Sequence, residues 1–225
     1  MESAARFRLQ FMLMAAPRVS RRLSGLYVIL DASVRPDRSL GDVLRESAGV
    51  GVSLVQYRNK SASIKEAYAE ALLLRKVASD LGVWFIVNDR CDLTLAVEAD
   101  GVHLGQDDLP YAEARMLLGP DKIIGVSTHN AEQVRQADKL KPDYIGFGPI
   151  FKPASKHDHD PVVGLEGLRQ IRPFTSLPIF AIGGIQANQV KAALQAGANG
   201  IAVISAVVAA PDVKKAVEHI ISMLS

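Results

Sequence analysis

The sequence has few of the features that mark secreted, membrane-spanning or dinucleotide-binding proteins. Its 225 residues include one cysteine, Cys91, which excludes an internal disulfide framework and favours a reducing compartment. No apolar stretch approaches the roughly 20 residues that a transmembrane helix needs. No Gly-x-Gly-x-x-Gly motif follows the first predicted strand, so an open dinucleotide-binding sheet lacks its main support. We therefore expect a cytoplasmic protein with no membrane partner.

Positive charge is concentrated at the start of the chain. Residues 1–24 contain five Arg and one Glu, a net charge of +4, so the remaining 21 Lys or Arg and 23 Asp or Glu give −2. A body with that balance is not basic, and nucleic acid is not an expected partner. We interpret residues 1–24 as a poorly ordered extension and residues 25–225 as one catalytic domain.

Short apolar runs alternate with amphipathic stretches from residue 25 onward. Strands are predicted at 26–30, 53–57, 84–87, 101–104, 123–126, 144–148, 179–182 and 200–204. The clearest helices are predicted at 64–81, 131–140, 187–196 and 212–223. Eight such units favour a single closed (β/α)8 TIM barrel over an open doubly wound α/β sheet. In a barrel of this kind, chemistry is expected where the strands end.

Two aspartates follow neighbouring predicted strands. Asp89 comes directly after the third strand, and Asp108 follows the fourth. Because parallel strands end at the same face, these carboxylates could share a hard cation such as Mg²⁺. Either aspartate could instead be the N-cap of the next helix, and this alternative stays open.

Other strand ends carry groups that suit anions. Alternation along the second strand directs Gln56, Arg58 and Lys60 to one side. After the seventh and eighth strands, Gly184 and Ile204-Ser205 offer backbone N–H groups for a phosphate. The other polar candidates at this face are Asn88, Ser127 and Lys156. Several cations with a metal exceed what a phosphate monoester needs and suit a pyrophosphate leaving group.

From about residue 26 to its end, the chain resembles the thiamine phosphate synthase family. The motifs that carry the resemblance are VQYRNK (55–60), NDR (88–90), ADGVHLGQDD (99–108), GVS (125–127), DYIGFGPI (143–150), AIGGI (181–185) and ANGIAVIS (198–205). The resemblance implies a transferase that joins hydroxymethylpyrimidine pyrophosphate to hydroxyethylthiazole phosphate. The products would be thiamine phosphate and pyrophosphate, formed by a dissociative substitution assisted by Mg²⁺.

The resemblance also implies residue roles. The pyrimidine pyrophosphate would contact Gln56, Arg58, Lys60, Asn88, Ser127 and Lys156, and four of these, Arg58, Lys60, Ser127 and Lys156, would be catalytic. Mg²⁺ would bind Asp89 and Asp108. The thiazole phosphate would contact Pro153, Ala154, Ser155, Gly184, Ile204 and Ser205. The implied partners are thus two small molecules, and a homo-oligomer stays an open alternative.

The chain departs from the family pattern at two places. Asn59 stands where the family usually has Glu, and Pro153-Ala154-Ser155 replaces a Thr-rich loop. Pro153 lacks a hydroxyl and an N–H, so the thiazole phosphate should depend more on Gly184 and Ser205. We interpret the following residues 157–160, His-Asp-His-Asp, as a solvated loop rather than a metal site.

Two other functions are alternatives to the synthase interpretation. One is a thiazole tautomerase of the same barrel type, which should not need a pyrophosphate-and-metal apparatus. The other is a barrel that binds thiamine phosphate without catalysis and would be expected to lack a metal ligand or Lys156. Both His103 and His129 are interpreted as hydrogen-bonded strand-end residues rather than acid–base catalysts.

Overall fold

Eight parallel strands close into a barrel, which confirms the predicted fold. The computed structural model describes residues 23–152 and 160–224. The strands are β1 (Gly25–Asp31), β2 (Leu54–Arg58), β3 (Trp84–Asn88), β4 (Gly101–Leu104), β5 (Ile123–Thr128), β6 (Tyr144–Phe147), β7 (Ile179–Ile182) and β8 (Gly200–Val203). Each strand pairs in parallel with the next, and β1 also pairs with β8 to close the ring. The predicted leader, residues 1–24, lies almost entirely outside the described residues.

Helices follow the strands around the outside of the barrel. They are α1 (Leu40–Ala48), α2 (Ile64–Asp80), α3 (Cys91–Ala96), α4 (Tyr111–Leu118), α5 (Ala131–Leu140), α6 (Gly164–Ile171), α7 (Val190–Gln195), α8 (Ser205–Val208) and α9 (Val213–Ser222). The helix predicted from residue 187 begins instead with a 3₁₀ turn, Ala187–Gln189, before α7. Helix α8 escaped prediction because four residues are too few to show a helical period.

Each helix turns an apolar face toward the strands. Examples are Leu44 of α1, Leu74 of α2, Val134 of α5, Leu168 of α6 and Val217 of α9, all buried. Burial of such faces, rather than helix propensity alone, stabilises helices of this length. Within residues 23–152 and 160–224, no helix is both long and apolar enough to cross a membrane.

Three aromatic rings fill the barrel interior. The rings of Tyr27, Tyr144 and Phe180 contact one another edge to face, with centroids 5.2 to 5.8 Å apart. Two glycines make room for them: a Cβ at Gly125 would lie 2.1 Å from the Tyr144 ring, and one at Gly200 would lie 2.5 Å from the Phe180 ring. The interior is therefore a packed core, and ligands have access only to the mouth.

Candidate active site

A central cavity at the barrel mouth brings together predicted residues from three strands and from the end of a fourth. Its lining includes Gln56 and Arg58 of β2, Asn88 of β3, Ser127 of β5 and Ile204 after β8. Aromatic side chains of the interior form its floor. These residues are far apart in the sequence, so closure of the barrel is what assembles them.

Arg58 is held by an acid that the sequence analysis missed. Its Nη1 donates to Oδ2 of Asp31, the last residue of β1, which lies beside Arg58 in the strand register. Asp31 is only 3% exposed, and its Oδ1 also accepts from the Ser33 N–H at 3.0 Å and the Ser33 hydroxyl at 2.6 Å. A carboxylate with this many partners is structurally fixed, so it orients the guanidinium toward the cavity. In the sequence, the position of Asp31 at the end of the first strand was the signal that could have identified it.

A second, rim cavity lies beside the first and carries the paired acids. Lys60, Asn88, Asp89 and Asp108 all line it. The Lys60 Nζ is 3.1 Å from Asp89 Oδ2, and Asp108 Oδ2 accepts the Gly105 N–H at 2.6 Å. Asn88 lines both cavities, so the rim acids adjoin the Arg58 region.

The helix-cap alternative for the two aspartates is wrong. The N-cap of α3 is Arg90, and the N-cap of α4 is Pro110; neither position makes a side-chain cap hydrogen bond. Asp89 instead adopts a left-handed backbone conformation, with φ of 63°. Such conformations are uncommon outside glycine and occur often at functional sites. The turn directs the Asp89 carboxyl toward the rim instead of toward the helix.

The paired acids are chemically suited to a hard cation. Partial burial and the neighbouring Asp89 carboxyl raise the pKa of Asp108 above its ordinary range. Two carboxylates that disfavour each other's charge gain from a divalent cation between them. Mg²⁺ is commonly held by one or two carboxylates, with water and substrate phosphate as its other ligands. Within the described ranges, no group of three or more His, Cys, Asp or Glu side chains is placed to hold a metal ion.

The opposite side of the mouth has no charged side chain among the predicted residues. Gly183 and Gly184 follow β7 with φ of +96° and +64°, and Ser205 begins α8 directly after Ile204. A Cβ at Gly184 would lie 2.6 Å from the Lys152 carbonyl oxygen, so only glycine fits this close approach. Bare backbone N–H groups and a helix start are groups that hold phosphate without a formal charge. We call Gly183, Gly184, Ile204 and Ser205 the neutral side, and Arg58, Lys60, Asp89 and Asp108 the charged side.

Both histidines singled out in the sequence are hydrogen-bonded, as predicted. His103 lies between Ser127 Oγ, at 2.9 Å from its Nε2, and the Tyr144 hydroxyl, at 3.0 Å from its Nδ1. His129 Nδ1 is 2.6 Å from the Gly148 carbonyl oxygen, and its Nε2 is 3.5 Å from Asp160. The role of His103 as a link between a site hydroxyl and a buried tyrosine was not predicted.

The loop after β6 carries predicted residues that the structure leaves undescribed. Pro153, Ala154, Ser155 and Lys156 all lie outside the described residues, as do residues 157–159. Their predicted contacts with the two substrates therefore stay predictions.

Comparison with known proteins agrees with the motifs. The family model described as thiamine monophosphate synthase matches residues 26–207. The thiamine-phosphate synthase of Chloroflexus aurantiacus is 50% identical over 89% of this chain and 92% of its own length. The enzyme of that name from Shouchella clausii is 45% identical over 88% and 95%.

Comparison with solved structures finds a relative of the same family and a protein that shares only the fold. The thiamine phosphate pyrophosphorylase from Pyrococcus furiosus has a TM-score of 0.80 and 38% identity, covering 89% of this chain and 95% of that one. A 3-hexulose-6-phosphate synthase, 16% identical with a TM-score of 0.65, shares the fold alone. Apart from Gly25, the first residue of β1, the matched residues include all eight strands and the motifs at the barrel mouth. The chain belongs to the thiamine monophosphate synthase family.

Proposed function

We propose that this chain is a thiamine phosphate synthase, a transferase. It joins 4-amino-2-methyl-5-hydroxymethylpyrimidine pyrophosphate to hydroxyethylthiazole phosphate and releases pyrophosphate. One observation carries the proposal: a single mouth places two cations and two carboxylates opposite a neutral backbone site for phosphate. Two substrates with anions of different charge need two sites of this kind.

The charged side is suited to a leaving pyrophosphate. Asp89 and Asp108 would hold Mg²⁺, which when bound supplies positive charge to the departing pyrophosphate oxygens. Arg58, fixed by Asp31, and Lys60 would contact the same oxygens. Lys156, in the undescribed loop, would add a third cation. These groups favour the charge that develops as the methylene–oxygen bond breaks, and that is where the rate gain arises.

The remaining steps need no general base on the protein. The aminopyrimidine ring donates electrons as the leaving group departs, and the thiazole nitrogen already carries the lone pair that forms the new bond. The protein contributes positioning: Gln56, Asn88 and Ser127 would orient the pyrimidine substrate in the central cavity. Gly184, Ile204 and Ser205, with Pro153 to Ser155, would hold the thiazole phosphate.

The neutral side agrees with the departure from the family at Pro153. A proline at that position offers no N–H donor to a phosphate. The backbone after β7 and the start of α8 lie within the described fold, and Gly184 is required there by its close approach to Lys152. These groups would therefore supply most of the phosphate contacts.

Release of pyrophosphate separates this function from its competitors. The purified protein, given Mg²⁺ and both substrates, should form thiamine phosphate and pyrophosphate in equal amounts, and omission of either substrate should stop both. A tautomerase would convert a thiazole carboxylate phosphate without the pyrimidine substrate. A non-catalytic barrel would bind thiamine phosphate and release nothing. Either of those results would overturn the proposal.

We further infer a cytoplasmic enzyme whose partners are small molecules. One buried cysteine and a net charge of −2 after residue 24 support a reducing compartment and disfavour nucleic acid. Cell fractionation would test the location, and sedimentation velocity would decide between a monomer and a homo-oligomer.

A further inference from the structure

A continuous chain of hydrogen bonds crosses the barrel interior from β2 to β5. The Gln56 amide nitrogen donates to the Tyr27 hydroxyl at 2.7 Å, and the Tyr27 and Tyr144 hydroxyl oxygens are 2.9 Å apart. The Tyr144 oxygen is 3.0 Å from His103 Nδ1, and His103 Nε2 is 2.9 Å from Ser127 Oγ. We call these five residues the polar relay. It joins five separate strands.

Most of the polar relay is buried at the base of the central cavity. Gln56 and Tyr27 are 2% exposed and Tyr144 is fully buried. Burial raises the pKa of both tyrosines above the ordinary phenol value, so both keep their protons. In such surroundings each proton must find an acceptor, because an unsatisfied buried polar group is costly.

The Gln56 end fixes the direction of every bond that follows. An amide nitrogen can only donate, so the Tyr27 oxygen accepts there and its single proton goes to Tyr144. The Tyr144 proton then goes to His103 Nδ1, which leaves Nε2 as the protonated nitrogen of a neutral ring. His103 Nε2–H consequently donates to the Ser127 oxygen. The opposite direction would require the Gln56 carbonyl oxygen, not its nitrogen, to face Tyr27.

Ser127 stands where the polar relay meets the central cavity. Its oxygen is occupied by the His103 donor, so its own proton points away from His103. The same cavity is lined by Arg58 and Asn88. A hydroxyl that presents its proton attracts an anion, whereas one that donates inward presents lone pairs and repels it.

We infer that Tyr27, Tyr144 and His103 are positioning residues that fix Ser127 as a hydrogen-bond donor toward the anion bound at the mouth. None of the three acts as an acid or base in this role. The direction of the bonds is a property of the free protein, while the identity of the anion as pyrophosphate rests on the proposed function.

The tautomer of His103 tests the direction without any substrate. In protein labelled with ¹⁵N-histidine, the ring nitrogen signals of protonated and unprotonated nitrogens differ, and loss of one set in His103→Gln assigns them. The inference expects protonated Nε2 and unprotonated Nδ1. A protonated Nδ1, alone or together with Nε2, would mean that His103 donates to Tyr144, and it would overturn the inference even if the synthase activity is present.

A double-mutant cycle tests whether the tyrosines and His103 act through Ser127. Tyr144→Phe keeps the ring and its packing but removes the hydroxyl, and His103→Phe removes both ring nitrogens. Each should lower kcat by about tenfold, the scale of one lost hydrogen bond, with little change in KM for the thiazole phosphate. In a Ser127→Ala background, the same changes should cost almost nothing further.

A conservative variant of His103 separates a hydrogen-bonding role from a packing role. His103→Gln offers an amide that can accept from Tyr144 and donate to Ser127, so it should recover most of the activity lost in His103→Phe. Losses that add fully in the Ser127→Ala background, or no recovery in His103→Gln with a wild-type melting temperature, would show packing roles alone. If no variant and no wild-type protein releases pyrophosphate, the proposed function fails, while the tautomer result still decides the direction of the polar relay.

Discussion

The two sides of the barrel mouth differ in the groups that they offer to an anion. The charged side combines Arg58 and Lys60 with the paired Asp89 and Asp108, and the neutral side offers backbone at Gly184 and the start of α8. A pyrophosphate that gains charge as it leaves needs cations placed in advance. A phosphate that only has to be held needs N–H groups and a tight fit. Under the proposed function, the charged side would take the pyrimidine pyrophosphate and the neutral side would take the thiazole phosphate.

The two sides also differ in how they lower the stability of the free protein. Partial burial and the contact with the Asp89 carboxyl raise the pKa of Asp108, so a negative charge on both acids is disfavoured when no cation is present. On the neutral side, the constraint is a backbone conformation that other residues rarely adopt, since Gly183 and Gly184 both have positive φ. Substitutions on the charged side should therefore lower activity with little loss of stability. Substitutions on the neutral side should lower both.

The largest effect should come from Asp89→Asn. Loss of one carboxylate weakens Mg²⁺ binding and removes transition-state stabilisation of several kcal/mol, which lowers kcat by orders of magnitude. The melting temperature in metal-free buffer should stay within a few degrees, because only an exposed Lys60 pair is lost and a like-charge contact is relieved. Asp92→Asn is the matched control: that exposed acid pairs with Arg90 and should leave the rate unchanged.

The next effect should come from Lys156→Ala, with a cost of about 100-fold in kcat, as for other lost transition-state donors. Replacement of residues 157–160 together by Gly and Ser should alter turnover only modestly, because those residues would merely carry Lys156 into place. That replacement also removes the Asp160 contact to His129. Steady-state rates of the two variants compare them, and equal losses would revive a ligand role for the loop histidines.

Gly184→Ala should break the neutral side. Its Cβ would meet the Lys152 carbonyl oxygen at 2.6 Å, so the backbone that would hold the thiazole phosphate must shift. We expect KM for that substrate to rise about tenfold and stability to fall by about 1–3 kcal/mol. Gly119→Ala is the control, since φ is +74° there but nothing lies within 4 Å. An equal KM change in both variants would place the phosphate elsewhere.

The smallest effect should follow deletion of residues 1–22, which precede the barrel. Melting temperature and turnover should stay nearly unchanged. The deletion should stop before Leu23, because this residue packs against the apolar cluster inside the barrel. A cut that includes Leu23 should cost more, about 1–2 kcal/mol for partial burial of a leucine. A fall of many degrees for the shorter deletion would show that the leader docks on the barrel.

The strand pattern predicted the barrel because each unit carries its own local signals. Alternating apolar runs and helical stretches are read within about 30 residues, and all eight strands lie where they were expected to within two residues. The strand-end rule then placed Arg58, Asn88 and Ser127 around one cavity. Local rules were thus enough wherever one strand and its loop decide the position.

Local rules failed where contacts join distant strands. Tyr27 and Tyr144 are 117 residues apart and resemble ordinary apolar strand residues until the barrel closes. Asp31 stands at a strand end, but its pairing with Arg58 is visible only in the β1–β2 register. The helix-cap alternative for Asp89 was wrong for a local reason. The left-handed backbone conformation of Asp89 overrides the usual preference of aspartate for a helix N-cap. These residues need the three-dimensional register, which one sequence does not provide.

The most direct test is the rate of pyrophosphate release after removal of divalent cations. With both substrates present, EDTA should abolish release by the wild-type protein, and titration with Mg²⁺ should restore it. Asp89→Asn should need far more Mg²⁺ and reach a much lower rate. Undiminished release by metal-free wild-type protein, or by Asp89→Asn in the same buffer, would contradict the account, because the pyrophosphate would then depend on Arg58, Lys60 and Lys156 alone.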